Sequence, residues 1–166
     1  MNEVIIPPFP ITKSYWLAGN SFDTNGIENS LTREFNVCVL VAHAGESFVG
    51  YSHSMKEFDS FQIIKSSVKA KHGKGGFSQR RFERLRDEDI VHHIEKVKPL
   101  LKSTFEEFDG NIDYFFVAGD SQMAKEITVV APLDIKQITS SSDIRIEKHN
   151  ISDILKQLTI CRRYKL

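Results

Sequence analysis

The chain has 166 residues, with 22 Lys and Arg balancing 22 Asp and Glu, 40% hydrophobic and 27% charged, which makes one globular domain the expectation and excludes whole-chain disorder. A chain of this length buries about 70% of the surface its unfolded form exposes, so its core needs neither disulfides nor metal. Cys38, in an apolar run, and Cys161, near the C-terminus, read as free thiols of a reducing, cytoplasmic compartment; Glu3 and three prolines in the first ten residues are unlike a signal peptide, and the apolar run 36–45 falls short of the roughly 20 residues of a membrane span.

Residues 1–13 read as an N-terminal arm and 159–166 as a basic tail expected to fray, leaving a core over about 14–158. An aromatic-rich segment at 14–18 could form a strand, and 19–26 is turn-rich, with Asn25-Gly26 as strong turn chemistry. A short helix or loop then runs to Phe35. Residues 37–44 are apolar and β-branched enough for a buried central strand, 47–54 follow after a tight Gly45-Glu46 turn, and 58–68 continue an antiparallel meander. After a glycine-rich loop, Phe82, Leu85, Ile90/Val91, Ile94, Val97, Leu101, Phe105 and Phe108 recur at helical spacing. This predicts a long amphipathic helix, kinked at Pro99 and burying Phe82 and Leu85 with the rest of the stripe.

A further apolar strand is predicted over 112–118, followed by a strand-to-helix turn at Gly119-Asp120-Ser121 and a helix over 122–127. A short strand at 136–139 and a terminal helix at 151–158, capped by Asn150, complete a single three-layer α/β domain. No repeat or linker divides the chain.

The zero net charge hides an asymmetry. Between positions 65 and 86 stand Lys65, Lys69, Lys71, Lys74, Arg80, Arg81, Arg84 and Arg86 against the single acid Glu83, a local charge of +7. A field of that size attracts a polyanion, and nucleic acid is the partner it implies; a solvated helix face is the alternative. Within it, Gly73, Gly75 and Gly76 lie between a strand and a helix, where a chain can take positive φ and let its backbone approach a ligand. The spacing is neither that of a P-loop nor that of a dinucleotide-binding fingerprint, since no Lys-Ser/Thr pair follows the glycines and the preceding meander is antiparallel. No metal site is expected. His92 and His93 point about 100° apart on a helix, His43 and His53 do not face each other in the predicted hairpin, and the central strand carries no carboxylate.

The run Lys71-His-Gly-Lys-Gly-Gly-Phe-Ser-Gln-Arg-Arg-Phe-Glu-Arg-Leu-Arg86 resembles the peptidyl-tRNA hydrolysis loop of eukaryotic and archaeal class I release factors. That family's pattern is Lys-His-Gly-Arg/Lys-Gly-Gly-Gln-Ser, two variable positions, Arg-Phe, one variable position, Arg-Leu-Arg. Lys71, His72, Gly73, Gly75, Gly76, Ser78, Arg81, Phe82, Arg84, Leu85 and Arg86 fall on matching positions. The triplet glutamine is replaced by Phe77, and Gln79 appears two positions later; this G-x-x-Q form is similar to the Vms/Ankzf-like release-factor domain, a branch associated with rescue of stalled ribosomes. Asn20-Ser-Phe-Asp-Thr24 and the hairpin over 37–54 extend the likeness to the family's middle domain, so that it covers roughly residues 15–158. The fold it implies is a mixed central sheet with flanking helices, distantly RNase H-like. The length leaves no room for the codon-reading and partner-binding domains of a complete release factor, so codon-independent rescue is expected.

The resemblance implies a peptidyl-tRNA hydrolase acting at the CCA end on the large ribosomal subunit, without a cofactor. Gln79 would place the water, since a neutral amide cannot act as a base. Gly75 and Gly76 would allow backbone approach, and an N–H near Phe77, Ser78 or Gln79 would face the oxyanion. Ser78 suits a helix N-cap better than a nucleophile. Phe77 either stacks on a base or anchors the loop. Lys69, Lys71, His72, Lys74, Arg80, Arg81, Arg84 and Arg86 would contact RNA phosphates, with proton shuttling the lesser option for His72. Cleavage of the tRNA near its CCA end, or a non-catalytic ribosome-binding role like that of Pelota-type proteins, are the competing readings. A monomer is the default, and an accessory factor is left open.

Overall fold

The computed structural model describes residues 3–6, 9, 25, 28, 32–70, 79–140, 144–147, 149, 151–160 and 162–165. Its centre is a five-stranded sheet in the order β4-β3-β2-β5-β6, made of β2 (Val37–His43), β3 (Glu46–Ser52), β4 (Ser60–Lys65), β5 (Tyr114–Gly119) and β6 (Gln137–Thr139). The strands β2, β3 and β4 form the expected antiparallel meander, whereas β5 pairs parallel with β2 and β6 parallel with β5. Parallel pairing requires crossovers that leave the sheet plane. They are α1 (Gln79–Glu107) between β4 and β5, and α2 (Ser121–Ile127) with a 3-10 turn (Thr128–Val130) between β5 and β6. The result is the mixed α/β sheet with flanking helices that the sequence resemblance implied.

Because β2 is covered on both sides, its alternating side chains divide between two cores. Cys38, Leu40 and Ala42 pack with Ile94, Val97, Leu101 and Phe105 of α1 and Met123, Ala124 and Ile127 of α2. Val37, Val39 and Val41 pack on the opposite face with Phe9, Phe35, Phe116 and with Ile154, Leu155 and Leu158 of α3 (Ser152–Leu158). Gly119 ends β5 at φ +94°, where a Cβ would overlap the Ala42 carbonyl. The close approach lets the Asp120 N–H donate to Ala42 O at 2.7 Å, and the Asp120 carboxylate then caps α2 by accepting from the N–H groups of Gln122 and Met123.

Several expectations need correction. The N-terminal arm and the C-terminal tail expected to fray pair with each other: β1 (Glu3–Ile6) and β7 (Arg162–Lys165) form an antiparallel ribbon, with Glu3 opposite Lys165. Pairing across the whole chain length has no local signature in sequence. Asn25 is helical where a turn was expected, in line with helical Glu28 and Thr32. The hairpin turns at Ala44 and Gly45, so β3 starts at Glu46. Ile151 occupies the N-cap position of α3 without a side-chain hydrogen bond, and Asn150 lies outside the described residues, as does the predicted strand at 14–18. Helix α1 runs through Pro99.

The apolar stripe of α1 is buried only from His93 onward, through Ile94, Val97, Leu101 and Phe105. Phe82 is 38% exposed and Val91 54%, so Phe82 is not a core residue, and Leu85 is only half-buried. Helical spacing reveals a stripe but not where the sheet beneath it stops. Phe108, just past the helix, stacks on Tyr51. Among the described residues no helix is long and apolar enough to cross a membrane.

Candidate functional site

Helix α1 has 29 residues, about 44 Å at 1.5 Å per residue. Its first buried residue is His93, so Gln79 stands roughly 20 Å along the axis from the point where the helix enters the core. The first three turns bury no residue fully. The chain that leads to them from β4 is fastened beside His93. Ser66 N–H donates to Gly45 O at 2.8 Å, and Ser66 Oγ meets His93 Nδ1 at 2.9 Å. The other ring nitrogen, His93 Nε2, meets Ser47 Oγ at 2.9 Å. One turn earlier on the helix, Asp89 Oδ2 accepts from both the backbone N–H and the Nζ of Lys69, at 3.3 Å each.

His93 is fully buried, and burial, with Lys96 adding to it, holds its imidazole below the ordinary histidine range. A neutral ring donates through one nitrogen and accepts through the other, which suits two serine hydroxyls. The thiol of Cys38 is pushed up by burial, so it is an inert core group and not a nucleophile. Among the described residues no group of three or more His, Cys, Asp or Glu side chains could hold a metal ion.

The predicted site residues divide into three sets. Lys71, His72, Gly73, Lys74, Gly75, Gly76, Phe77 and Ser78 lie outside the described residues. Gln79 opens α1, and its Nε2 donates to Glu83 Oε1 at 2.9 Å. The remaining basic residues meet more acid than the sequence window suggested. Lys65 pairs with Glu46 across the β3–β4 ladder at 2.5 Å, Lys69 with Asp89 at 3.3 Å and Arg84 with Glu88 at 3.3 Å. The acids Asp87, Glu88 and Asp89 follow directly on Arg86, and helical geometry folds them back among the arginines. The +7 of residues 65–86 is thus partly neutralised from within. Arg80 and Arg81 are exposed and make no ion pair among the described residues, which leaves them open to a polyanion. Arg86 differs from both: its Nε is buried and has no hydrogen-bond partner among the described residues.

Sequence reasoning missed Glu83, Asp89 and His93. The i, i+4 spacing of Gln79 to Glu83 and of Arg84 to Glu88 was a readable signal. Asp89 and His93 find partners only through the sheet and had none. A cavity of about 380 Å³ at the ends of β5 and β6, beside Lys125, Thr139 and Ser140, contains no predicted site residue.

A basic, glycine-rich crossover leading into a helix that opens on a glutamine, beside a mixed sheet flanked by helices, defines a release-factor-like domain. The chain belongs to the VLRF1 release factor family, whose actinobacterial and Chloroflexi model matches residues 36–144 and thus includes the glycine-rich loop. It is 24% identical over 175 aligned residues to peptide chain release factor subunit 1 of Methanopyrus kandleri, covering 99% of this chain and 42% of that protein. It is 35% identical over 85 residues to peptide chain release factor subunit 1-1 of Methanosarcina acetivorans, covering 51% of this chain and 20% of that one. The crystal structure of an archaeal translation termination factor, aRF1, superposes over 82% of this chain and 39% of its own, with 17% identity and a TM-score of 0.37; the fold assignment rests on the strand order itself. The chain spans less than half the length of these relatives.

Proposed function

We propose that this domain is a codon-independent peptidyl-tRNA hydrolase that releases nascent chains from stalled ribosomes or large subunits, working in the cytoplasm as a monomer. The observation that carries the reading is the position of Gln79, which opens α1 roughly 20 Å along the helix from the first residue that the core buries. A group that must reach a carbonyl within a confined RNA cavity has to stand clear of the domain body, and it has to be approached by small residues; Gly75 and Gly76 precede it in sequence.

In the reaction, water adds to the ester carbonyl, the bond to the 3′ oxygen of the terminal adenosine breaks, and the products are a peptide carboxylic acid and a free tRNA hydroxyl. Gln79 holds the water by accepting one of its hydrogens, which reduces the entropic part of the barrier. A backbone N–H among residues 77 to 79 would face the oxyanion, and Ser78 would serve as the helix N-cap. Phe77 stacks on a base. Lys71, His72, Lys74, Arg80, Arg81 and Arg86 contact phosphates of the acceptor stem or ribosomal RNA, and Lys69 and Arg84 join them only when released from Asp89 and Glu88.

The test is release of labelled peptide from isolated stalled large-subunit complexes by wild type and Gln79→Ala, with the tRNA 3′ end resolved on the same gel. Release by wild type alone with an intact CCA end is the expected result. A shortened end would reassign the chemistry to tRNA cleavage, with arginines stabilising the phosphorane. Binding of both proteins without release would reassign the domain to ribosome binding.

A further inference from the structure

Gln79 and Glu83 lie one turn apart on the exposed first turns of α1, joined by the 2.9 Å hydrogen bond from Nε2 to Oε1. A carboxylate can only accept, so it admits only one orientation of the amide: the NH₂ toward Glu83 and the carbonyl Oε1 away from it. A flipped amide would set two acceptor oxygens against each other. The orientation that results is the one a water-holding glutamine needs, because Oε1 is the atom that accepts from water.

Two features of the sequence bear on this pairing. The glutamine of the motif stands at position 79, which opens the helix, and an i+4 partner exists there. Glu83 is also the only acid between positions 65 and 86, at the centre of the surface that meets a polyanion. A negative charge there opposes RNA binding, so affinity is not what it contributes.

We propose that Glu83 is a positioning residue for Gln79, holding the amide so that its carbonyl oxygen is presented to the attacking water. The inference rests on the hydrolase reading above. It assigns Glu83 no proton transfer and no contact with substrate. Glu83→Ala then lowers kcat for peptide release about tenfold, the scale of a small misplacement in a reacting constellation, with KM unchanged. Glu83→Gln keeps an acceptor oxygen and restores most of the rate. Glu83→Lys separates the two effects of the residue, because it binds the complex more tightly while releasing peptide more slowly. Gln79→Ala/Glu83→Ala is no slower than Gln79→Ala, since both changes remove one function.

The experiment is single-turnover release by these variants, accompanied by NMR of the Gln79 side-chain amide, assigned by its loss in Gln79→Ala. The expected spectra show the amide signals displaced in Glu83→Ala and retained in Glu83→Gln. Wild-type rates in Glu83→Ala, losses that multiply in the double variant, or amide signals indifferent to Glu83→Ala each overturn the inference while leaving the hydrolase reading intact. Failure of wild type to release peptide sinks that reading instead, and the spectra then decide the orientation of Gln79 on their own.

Discussion

Lys69 reaches one carboxylate oxygen of Asp89 twice, through its backbone N–H and through Nζ, at 3.3 Å in each case. The contact ties the chain leaving β4 to the side of α1 one turn before His93. It also occupies a cation that would otherwise meet phosphate. Asp89 is therefore an internal competitor of RNA.

Asp89→Ala releases Lys69 and removes one negative charge. Binding to a generic single-stranded RNA strengthens, and the slope of log affinity against log salt steepens by about 0.7 for the added phosphate contact. Stability falls by less than about 1 kcal/mol, because Lys69 is 47% exposed and its ion pair is screened. Binding titrations between low and moderate salt, with an unchanged slope, would refute the competition.

His93 makes folding pH-dependent. Its imidazole is held below the ordinary range by burial, so the unfolded chain binds the proton more readily than the folded one. Stability is therefore full above the ordinary histidine value of about 6.5 and is lost as pH falls below it. His93→Gln, which keeps a donor and an acceptor but does not titrate, flattens this part of the curve. His93→Ala costs about 2–4 kcal/mol at neutral pH, since it leaves a cavity and deprives Ser47 and Ser66 of their shared partner. Denaturant melts from pH 5 to 8 measure both effects.

Gly119→Ala combines a left-handed backbone with overlap at the Ala42 carbonyl. The methyl group can be accommodated only by moving β5 from β2 or by giving up the 2.7 Å bond from Asp120 to Ala42. A loss of about 2–4 kcal/mol in equilibrium unfolding is expected, and a loss below about 0.5 kcal/mol would show that the junction is softer than its geometry.

Arg80→Gln/Arg81→Gln removes two exposed cations that make no ion pair among the described residues. Affinity for RNA falls and the salt slope shrinks by about 1.4, the value for two phosphate contacts on a single strand. Arg84→Gln has a smaller effect, because Arg84 already pairs with Glu88. Equal effects of Arg80, Arg81 and Arg84 would contradict the distinction drawn from their pairing.

The meander, the long helix and the junction at Gly119-Asp120 were legible because their signals are local. The unbroken apolar run of Val37 to Ala42 marks a strand buried on both faces, and the glycines and arginines around Gln79 form a contiguous motif. Burial of Phe82 was misread, since a period of 3.6 residues is the same on a helix that overhangs its sheet as on one that lies wholly across it. The ribbon of Glu3–Ile6 and Arg162–Lys165 was missed because its partners are nearly the whole chain apart.

The sequence by itself determined the class of the domain, its family resemblance and the residues of its motif, because these depend on composition and short-range spacing. Only the tertiary structure decided that the arginine run is partly neutralised by its own helix, that Lys69 is tied to Asp89, and that His93 bridges Ser47 and Ser66. The strengths of ion pairs and buried hydrogen bonds depend on distance in space and on exclusion of water, and neither quantity exists until β2, β3 and α1 have packed.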